Sequence, residues 1–481
     1  DVLGSRGLGD VYKRQLLSMA LVSFSMMTSC ADDLEVGKKI DESMYDKVLQ
    51  NNAYLRDGKS NLSAPIVELY ENSYTTSVKL NLTKPATTAT SAKVAIDAAY
   101  LDIYNQEHGT DFQLYPQELV TFDNDGIINF TEEKSGEVGM TIQGGETVLE
   151  GRTYAIPVAI TEPSSDFKIQ NDKAKHCMYL VKDMRNASDA YKGEDVVKGF
   201  LFFEVNGTNP LNTFSFELEN GKLLWDVVVL FAANINYDSD AGRPFVKCNP
   251  QVQYLLDNNE TYLQPLRKRG VKVLLGLLGN HDMAGLAQLS EQGAKDFARE
   301  IAQYCNAYNL DGVNYDDEYS KNPDPENPAF DTPSTRAAAR LCYETKRAMP
   351  DKLVTVFDYG RMYGTAEVDG VDADEWIDVV VPNYGWYASP IGNMTKKKCA
   401  GMAAELNLGG GSSLNPTKAQ QLIDDGYGWH MGFAPSPEKY GNIFNRYSGA
   451  STLYGSSLKS PTVFYKHQDP KPYKYPEDLY K

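Results

Sequence analysis

Cysteine is scarce in this chain of 481 residues and poorly spaced for chemistry. Its six cysteines, at positions 30, 177, 248, 305, 342 and 399, form no C-x-x-C pair, which argues against zinc ribbons and dithiol redox sites. Cys30 aside, the other five are isolated and odd in number. They read as small buried apolar residues, with one disulfide open and no disulfide framework. Histidine is scarcer still: five occur, none repeated at helical spacing, so a protein-held metal has little material and none is expected. His281 alone invites following. Positive charge is in deficit, and a formal net charge of -18 repels phosphate, so nucleic acid and anionic headgroups are not expected as direct partners. A neutral carbohydrate is not repelled. Tryptophan numbers only 4 against 31 tyrosines, a supply that suits sugar stacking and ordinary packing alike. Long apolar runs are missing except at 16–27, about a dozen residues, too short for a membrane span and right for a signal-peptide core.

That run organises the N-terminus. Residues 1–15 lack an initiator Met and read as out-of-place coding sequence, so they are set aside from fold reasoning. Met27-Thr28-Ser29-Cys30 resembles a bacterial lipobox, which implies cleavage of a signal peptide (1–29) and lipidation of Cys30. A simple secreted protein with a stray cysteine is the alternative. The acidic cluster Asp32, Asp33 and Glu35, within a tether at 30–44, resembles surface-export signals of some Gram-negative glycan-foraging bacteria. Display at the outer-membrane surface is therefore expected over a periplasm-facing anchor, with the protein a monomer.

Between 45 and 183, short alternating runs at 77–82, 92–98, 126–130, 137–142, 153–160 and 177–181 are separated by turn-rich segments such as Lys84-Pro85-Ala86 and Gln143-Gly144-Gly145. The spacing predicts an antiparallel β-sandwich, with one helical insert at 99–107 capped by Gly109. It resembles the sandwich domain of unknown function found ahead of catalytic domains in surface lipoproteins, a stalk or a glycan-binding module. The polar stretch 184–197 reads as a linker.

From 198 to 481 apolar strand-like runs alternate with helical segments, the form of a parallel α/β fold. Strands are expected at 199–205, 226–232, 271–278, 312–317, 353–357, 377–381, 401–406 and 427–433, with helices at 292–308 and 333–349. Eight strands in about 285 residues predict a TIM (β/α)8 barrel, whose sites lie at the C-terminal strand ends. A Rossmann reading fails, because no Gly-rich phosphate loop follows the first strand.

Polar residues gather at those ends. They include Glu204 and Asn206; Asn234, Asn236 and Asp238; Asn280 and His281; and Asn383 and Tyr384. The fourth strand runs Leu310-Asp311-Gly312-Val313-Asn314-Tyr315-Asp316-Asp317-Glu318. A period of two sets Asn314, Asp316 and Glu318 on one face, with the two acids ~7 Å apart at Cα if extended. Two such carboxylates resist joint ionisation, so one keeps a proton near neutrality. A solvated acidic loop is the bland alternative, while an EF-hand fits poorly because Gly312 and Val313 fall at the wrong loop positions.

The run resembles the D-x-x-D-x-D-x-E signature of glycoside hydrolase family 18. Asp311, Asp316 and Glu318 match, and Asn314 stands where the family's second Asp usually does. Together the strand ends resemble endo-β-N-acetylglucosaminidases of the Endo H and Endo F type. The resemblance implies Glu318 as acid and base, Asp316 as the residue that holds the acetamido N–H, and Tyr384 as the residue that orients the acetamido oxygen. It further implies that Asn314, Asn280, Glu204 and Asn234 bind substrate. Gly279-Asn280-His281 would form part of the sugar-binding floor, and Trp386 and Trp429 would stack on sugars or pack. The implied reaction cuts between the two GlcNAc residues of N-linked glycans by a retaining, substrate-assisted route without cofactor. Two alternatives stay open, a chitinase-like hydrolase and a catalytically silent glycan-binding surface protein. Against the first, 407–426 is too short for the insertion many chitinases carry.

Overall fold

The computed structural model describes residues 50–148, 152–436, 439–460 and 465; the leader, the tether and Cys30 lie outside the described residues. The chain divides into two compact units, one running to Asn186 and the other beginning at Ala187. Among the described residues no helix is long and apolar enough to cross a membrane.

Among the described residues ten strands build the first unit: β1 (Ala53–Asp57), β2 (Ile66–Leu69), β3 (Ser73–Leu82), β4 (Thr90–Ile96), β5 (Gln113–Leu114), β6 (Val120–Phe122), β7 (Ile127–Phe130), β8 (Ser135–Gln143), β9 (Thr153–Glu162) and β10 (His176–Asp183). One sheet has the order β1-β3-β8-β6, and the other β2-β10-β9-β4-β7 with β5 added beside β9. Alternation explains the pairing. In β3, Val78, Leu80 and Leu82 point inward while Ser77, Lys79 and Asn81 do not, and they meet Ile142, Ile156, Val158 and Tyr179 in a core shared by both sheets. In β9 residues 153–160 are buried throughout, because the Tyr100–His108 helix covers its other face with Tyr100 and Leu101. That helix ends at Gly109 in the left-handed conformation. The expectation of a wholly antiparallel sandwich needs correction, since β2 pairs with β10, and β5 with β9, in parallel. These partners are far apart in sequence, so no hairpin turn dictates their direction.

The second unit is built on β11 (Lys198–Glu204), β12 (Val227–Asp238), β13 (Arg243–Lys247), β14 (Lys272–Leu278), β15 (Gly312–Asp316), β16 (Leu353–Asp358), a small hairpin β17 (Glu367–Val368) and β18 (Val371–Asp372), β19 (Val379–Pro382), β20 (Ala400–Glu405) and β21 (Trp429–Phe433). The order β19-β16-β15-β14-β12-β11-β21-β20 is parallel throughout, and a single parallel bridge from Val380 to Cys399 brings its two edges together. This is the eight-stranded barrel. Its interior is filled by Phe200, Phe202, Val227, Val229, Leu274, Val379, Val381 and Met431, so it is a packed core and not a pore.

Outside, the Glu291–Ala307 helix starts at a Ser290 cap, and the Thr335–Ala348 helix at a Ser334 cap. The fourth barrel strand is fixed at its base by Asp311. Its carboxylate accepts from Arg267 Nε at 2.7 Å and Nη2 at 3.1 Å, and from the Val273 backbone N–H at 3.0 Å. Burial favours the neutral acid, yet these partners outweigh it and hold the Asp311 carboxyl below the usual range. The first acid of the signature is thus a tie between strands, remote from chemistry.

The 184–197 stretch is not simply a linker. Lys192 Nζ donates to the carbonyls of Ala190 and Leu223, at 3.0 and 2.8 Å, and to Asp226 at 2.8 Å. Its polar residues look like linker composition because they are used for ion pairs, Arg185 with Asp183 on the first unit and Asp189 and Lys192 with Lys222 and Asp226 on the second.

Candidate active site

At the C-terminal ends of the barrel strands lies a cavity of about 490 Å³, within the range of small-ligand sites. Its floor is apolar, formed by Phe202, Phe231, Leu278, Phe357, Met431 and Phe433. Polar groups line the rest, including Glu204, Asn234, Asn249, Asp316, Glu318 and Tyr384.

β15 delivers the acids. Asp316 is its last residue and is 4% exposed. The chain then bends: the Glu318 N–H donates to the Asp316 carbonyl at 3.1 Å, closing a three-residue turn. Glu318 therefore does not continue the strand, and the extended ~7 Å spacing expected from alternation is shortened. Asp317 points elsewhere and accepts from the Arg361 backbone N–H at 2.9 Å.

The electrostatics of the pair are unequal. Burial, first, and the neighbouring Glu318 charge, second, push Asp316 up to about 8. Its Oδ1 is buried without a hydrogen-bond partner among the described groups, as is Oδ1 of Asn314 on the same strand face. An anion left that bare is costly, and a proton removes the cost.

Tyr384 follows β19 and reaches the cavity beside Phe357 and Phe433, with ring centroids 6.2 and 5.5 Å away. Burial, then the charges of Asp316, Glu405, Glu318 and Glu204, raise its phenol, which stays a neutral donor. Gly411 presses on it from the next loop; a Cβ there would lie 3.2 Å from Tyr384 Cβ.

Of the residues read from the sequence, Glu318, Asp316, Tyr384, Glu204 and Asn234 share this cavity. Asn314 and Asn280 do not. Asn314 is fully buried and donates from Nδ2 to Thr355 Oγ1 at 2.9 Å, so no sugar reaches it without rearrangement. Asn280 lies outside the lining and donates to Asn236 Oδ1 at 2.9 Å. His281, beside it, packs its ring 5.5 Å from Tyr319. Trp429 begins β21 and so sits at the opposite end of the barrel, edge-on to Phe200 at 6.0 Å. It packs rather than stacking on sugar. Trp386, in contrast, follows β19 and is 68% exposed.

Sequence reasoning passed over Tyr319 and Asn249, which also line the cavity. Asn249 had a signal. It precedes Pro250 and caps the Pro250–Asp257 helix, accepting from the Val252 N–H at 2.8 Å, which puts a helix start at the barrel mouth. Between β20 and β21 the chain holds the Pro416–Asp425 helix and turns, with no added domain.

An eight-stranded parallel barrel with two neighbouring acids and a tyrosine in the cavity at its C-terminal end has the form of a glycoside hydrolase, and the relatives bear this out. A family model described as an N-terminal domain matches residues 45–166. The chain is 47% identical over 276 residues to endo-β-N-acetylglucosaminidase F1 of Elizabethkingia meningoseptica, covering 54% of this chain and 79% of that protein. It is 32% identical over 233 residues to an endo-β-N-acetylglucosaminidase of a Flavobacterium species, covering 48% and 72%. Among solved structures it resembles Bacteroides thetaiotaomicron EndoBT-3987 with Man5GlcNAc product, at 70% identity and TM-score 0.58 over 88% of this chain and all of that one. A second structure of EndoBT-3987, with Man9GlcNAc2Asn substrate, matches at 67% identity and the same TM-score and coverage. This chain belongs to the endo-β-N-acetylglucosaminidase family.

Proposed function

We propose that this protein hydrolyses the GlcNAc-β-1,4-GlcNAc bond in the core of N-linked glycans. The observation that carries the reading is that Asp316, Glu318 and Tyr384 line one cavity, close enough that both acids act on the Tyr384 phenol. The solved relatives add substrate chemistry, since EndoBT-3987 was crystallised with Man5GlcNAc and with Man9GlcNAc2Asn.

The steps are those the family likeness implies, set on the residues that line this cavity. Glu318 gives its proton to the glycosidic oxygen as the C1–O bond breaks, while the carbonyl oxygen of the sugar's own 2-acetamido group closes on C1 to form an oxazolinium ion. As the bond breaks, the positive charge developing beside Asp316 favours its carboxylate, which the empty site disfavours, so the one proton of the pair leaves Asp316 and passes through Glu318 to the glycosidic oxygen in the same step. Tyr384, a neutral donor, orients the acetamido oxygen. In the second step Glu318 takes a proton from water, whose oxygen attacks C1 and opens the ring with overall retention. No protein nucleophile is required, so the carboxylate-separation rule for two-acid glycosidases does not apply. The apolar floor strengthens each of these interactions by excluding water.

A ribonuclease glycoform with high-mannose glycan, incubated with the protein and weighed by mass spectrometry, is expected to retain a single GlcNAc on its asparagine. Intact mass after prolonged incubation, with chitooligosaccharides cut instead, would favour the chitinase reading.

Anchoring through a lipid on Cys30, with the unit displayed at the outer-membrane surface, is likewise proposed from the lipobox-like Met27-Thr28-Ser29-Cys30 and the acids that follow it. Feeding an alkynyl fatty acid to a Gram-negative host should label the full-length protein, and Cys30→Ala should abolish the label. A fully labelled Cys30→Ala protein would sink the anchor.

A further inference from the structure

The acid Glu318 lies beyond the end of its strand, so something other than the barrel ladder must hold it. Four backbone or side-chain bonds do so from the loop after β14. The Gly279 N–H donates to the Glu318 carbonyl at 3.0 Å, the His281 N–H to the Tyr319 carbonyl at 2.6 Å, and the Lys321 N–H to the Asp282 carbonyl at 2.8 Å. Gln288 Nε2 adds a bond to the Lys321 carbonyl at 2.7 Å. Residues 279–282 thus zip along 318–321 as an improvised strand pair. The fit is close, because a Cβ on Gly279 would stand 2.3 Å from the Glu318 oxygen and 2.4 Å from Ser320 Oγ.

This loop is in turn pinned from β12. That strand runs past the barrel rim, supported by β13, and carries Asn234, Asn236 and Tyr237 over the loop. Asp282 collects the contacts: Oδ1 accepts from the Tyr237 N–H at 3.1 Å and the Ala284 N–H at 2.8 Å, and Oδ2 accepts from Asn236 Nδ2 at 3.2 Å. Asn236 Oδ1 accepts from Asn280 Nδ2 at 2.9 Å, and Asn234 Nδ2 donates to the Gly279 carbonyl at 3.0 Å. The links thus run from the second barrel strand to the loop after the third, and from that loop to the backbone of Glu318, Tyr319 and Lys321.

We infer that Asp282, with Asn236 and Asn280, forms a polar brace that positions Glu318 for proton transfer without touching substrate. The inference rests on the proposed hydrolase reading. A carboxylate is needed at the hub because it accepts on both oxygens; an amide would accept on one side only and turn its NH2 toward Asn236 Nδ2. Misplacement of an acid by less than 1 Å is enough to slow its step severely.

The deciding experiment compares the wild type with Asp282→Asn on a high-mannose glycopeptide. Asn keeps the Tyr237 and Ala284 bonds and loses the link to Asn236. Expected are a fall in kcat of about tenfold or more, KM within about threefold of wild type, and a displaced alkaline limb of the pH profile, since the Asp316–Glu318 separation sets how the proton is shared. In a Glu318→Gln background, Asp282→Asn should leave glycan affinity unchanged. A wild-type kcat, or a loss confined to KM, overturns the brace. Should Asp282→Asn fail to fold, Asn280→Ala, at the far end of the network, is expected to show the same kcat-only loss at about threefold, and an unaltered kcat there also overturns it. Failure of the hydrolase reading would be seen separately, as a wild-type protein that cuts no glycan.

Discussion

Glu318→Gln is expected to lower kcat for glycan release by about 10²–10⁴-fold while glycan binding and the melting temperature stay near those of the wild type. The reasoning is local. Glu318 is half-buried at the cavity wall; its backbone is tied to the loop after β14, and among the described residues its carboxylate bonds only to the exposed Tyr319 hydroxyl, a bond the amide can also accept. The amide matches the acid in shape but has no proton to give to the glycosidic oxygen and no basic oxygen to activate water, so both steps suffer. Initial rates on a fluorescent high-mannose glycopeptide, with a thermal melt as control, measure it. A variant that keeps a tenth of the wild-type rate would remove Glu318 from the acid role.

The second large effect belongs to Asp316, and it has two parts with opposite signs. Asp316→Asn should cost at least about 10²-fold in kcat, because the amide has no negative charge to set against the oxazolinium ion. The same change should make the protein more stable at neutral and alkaline pH. In the unfolded chain this carboxyl titrates near the ordinary value of about 4, whereas the fold pushes it up to about 8. Between those values the folded state binds the extra proton, so wild-type stability falls as pH rises across that window and levels off above it. Asparagine has nothing to titrate. The stability difference between variant and wild type should therefore be small near pH 4, grow through neutrality and flatten above about pH 8, with a ceiling of about 5 kcal/mol. Urea melts at pH 5, 7 and 9 decide it. Equal differences at the three values would mean that Asp316 is not the group carrying the proton. Activity of the wild type should also decline as pH passes about 8, when the pair loses the proton that the first step consumes.

These two residues illustrate what a linear reading captures. Alternation carried past the end of β15 marks Asp316 and Glu318 as neighbours, a proximity the structure reaches through a turn instead, and the rule that close acids share a proton marks the pair as reactive. Which acid holds the proton was not legible, because burial is the larger cause and it depends on Phe, Met and Tyr side chains from other strands. Asn314 makes the same point. Its alternation with Asp316 is real, but one step deeper in the barrel means full burial and a bond to Thr355 on the neighbouring strand, not contact with sugar.

Asn280 and Trp429 lie away from the cavity lining for a related reason. Asn280 stands at a strand end, as expected, yet a longer β12 claims its amide through Asn236. Trp429, open between stacking and packing in the sequence, packs, because it is the first residue of its strand and in a parallel barrel the first and last residues of a strand lie at opposite ends. In the first unit the same limit applies to direction: period two found most of its strands, while the parallel pairing of β2 with β10 needed partners more than a hundred residues apart.

By itself, then, the chain determined its two-part order, the eight-strand count, the acid pair and the family likeness, because hydrophobic period and residue type are local properties. Tertiary structure alone decided which acid is buried, which asparagines reach the cavity, and how Glu318 is held once its strand has ended. Those outcomes depend on which side chains from distant segments meet, and on the water they exclude when they do.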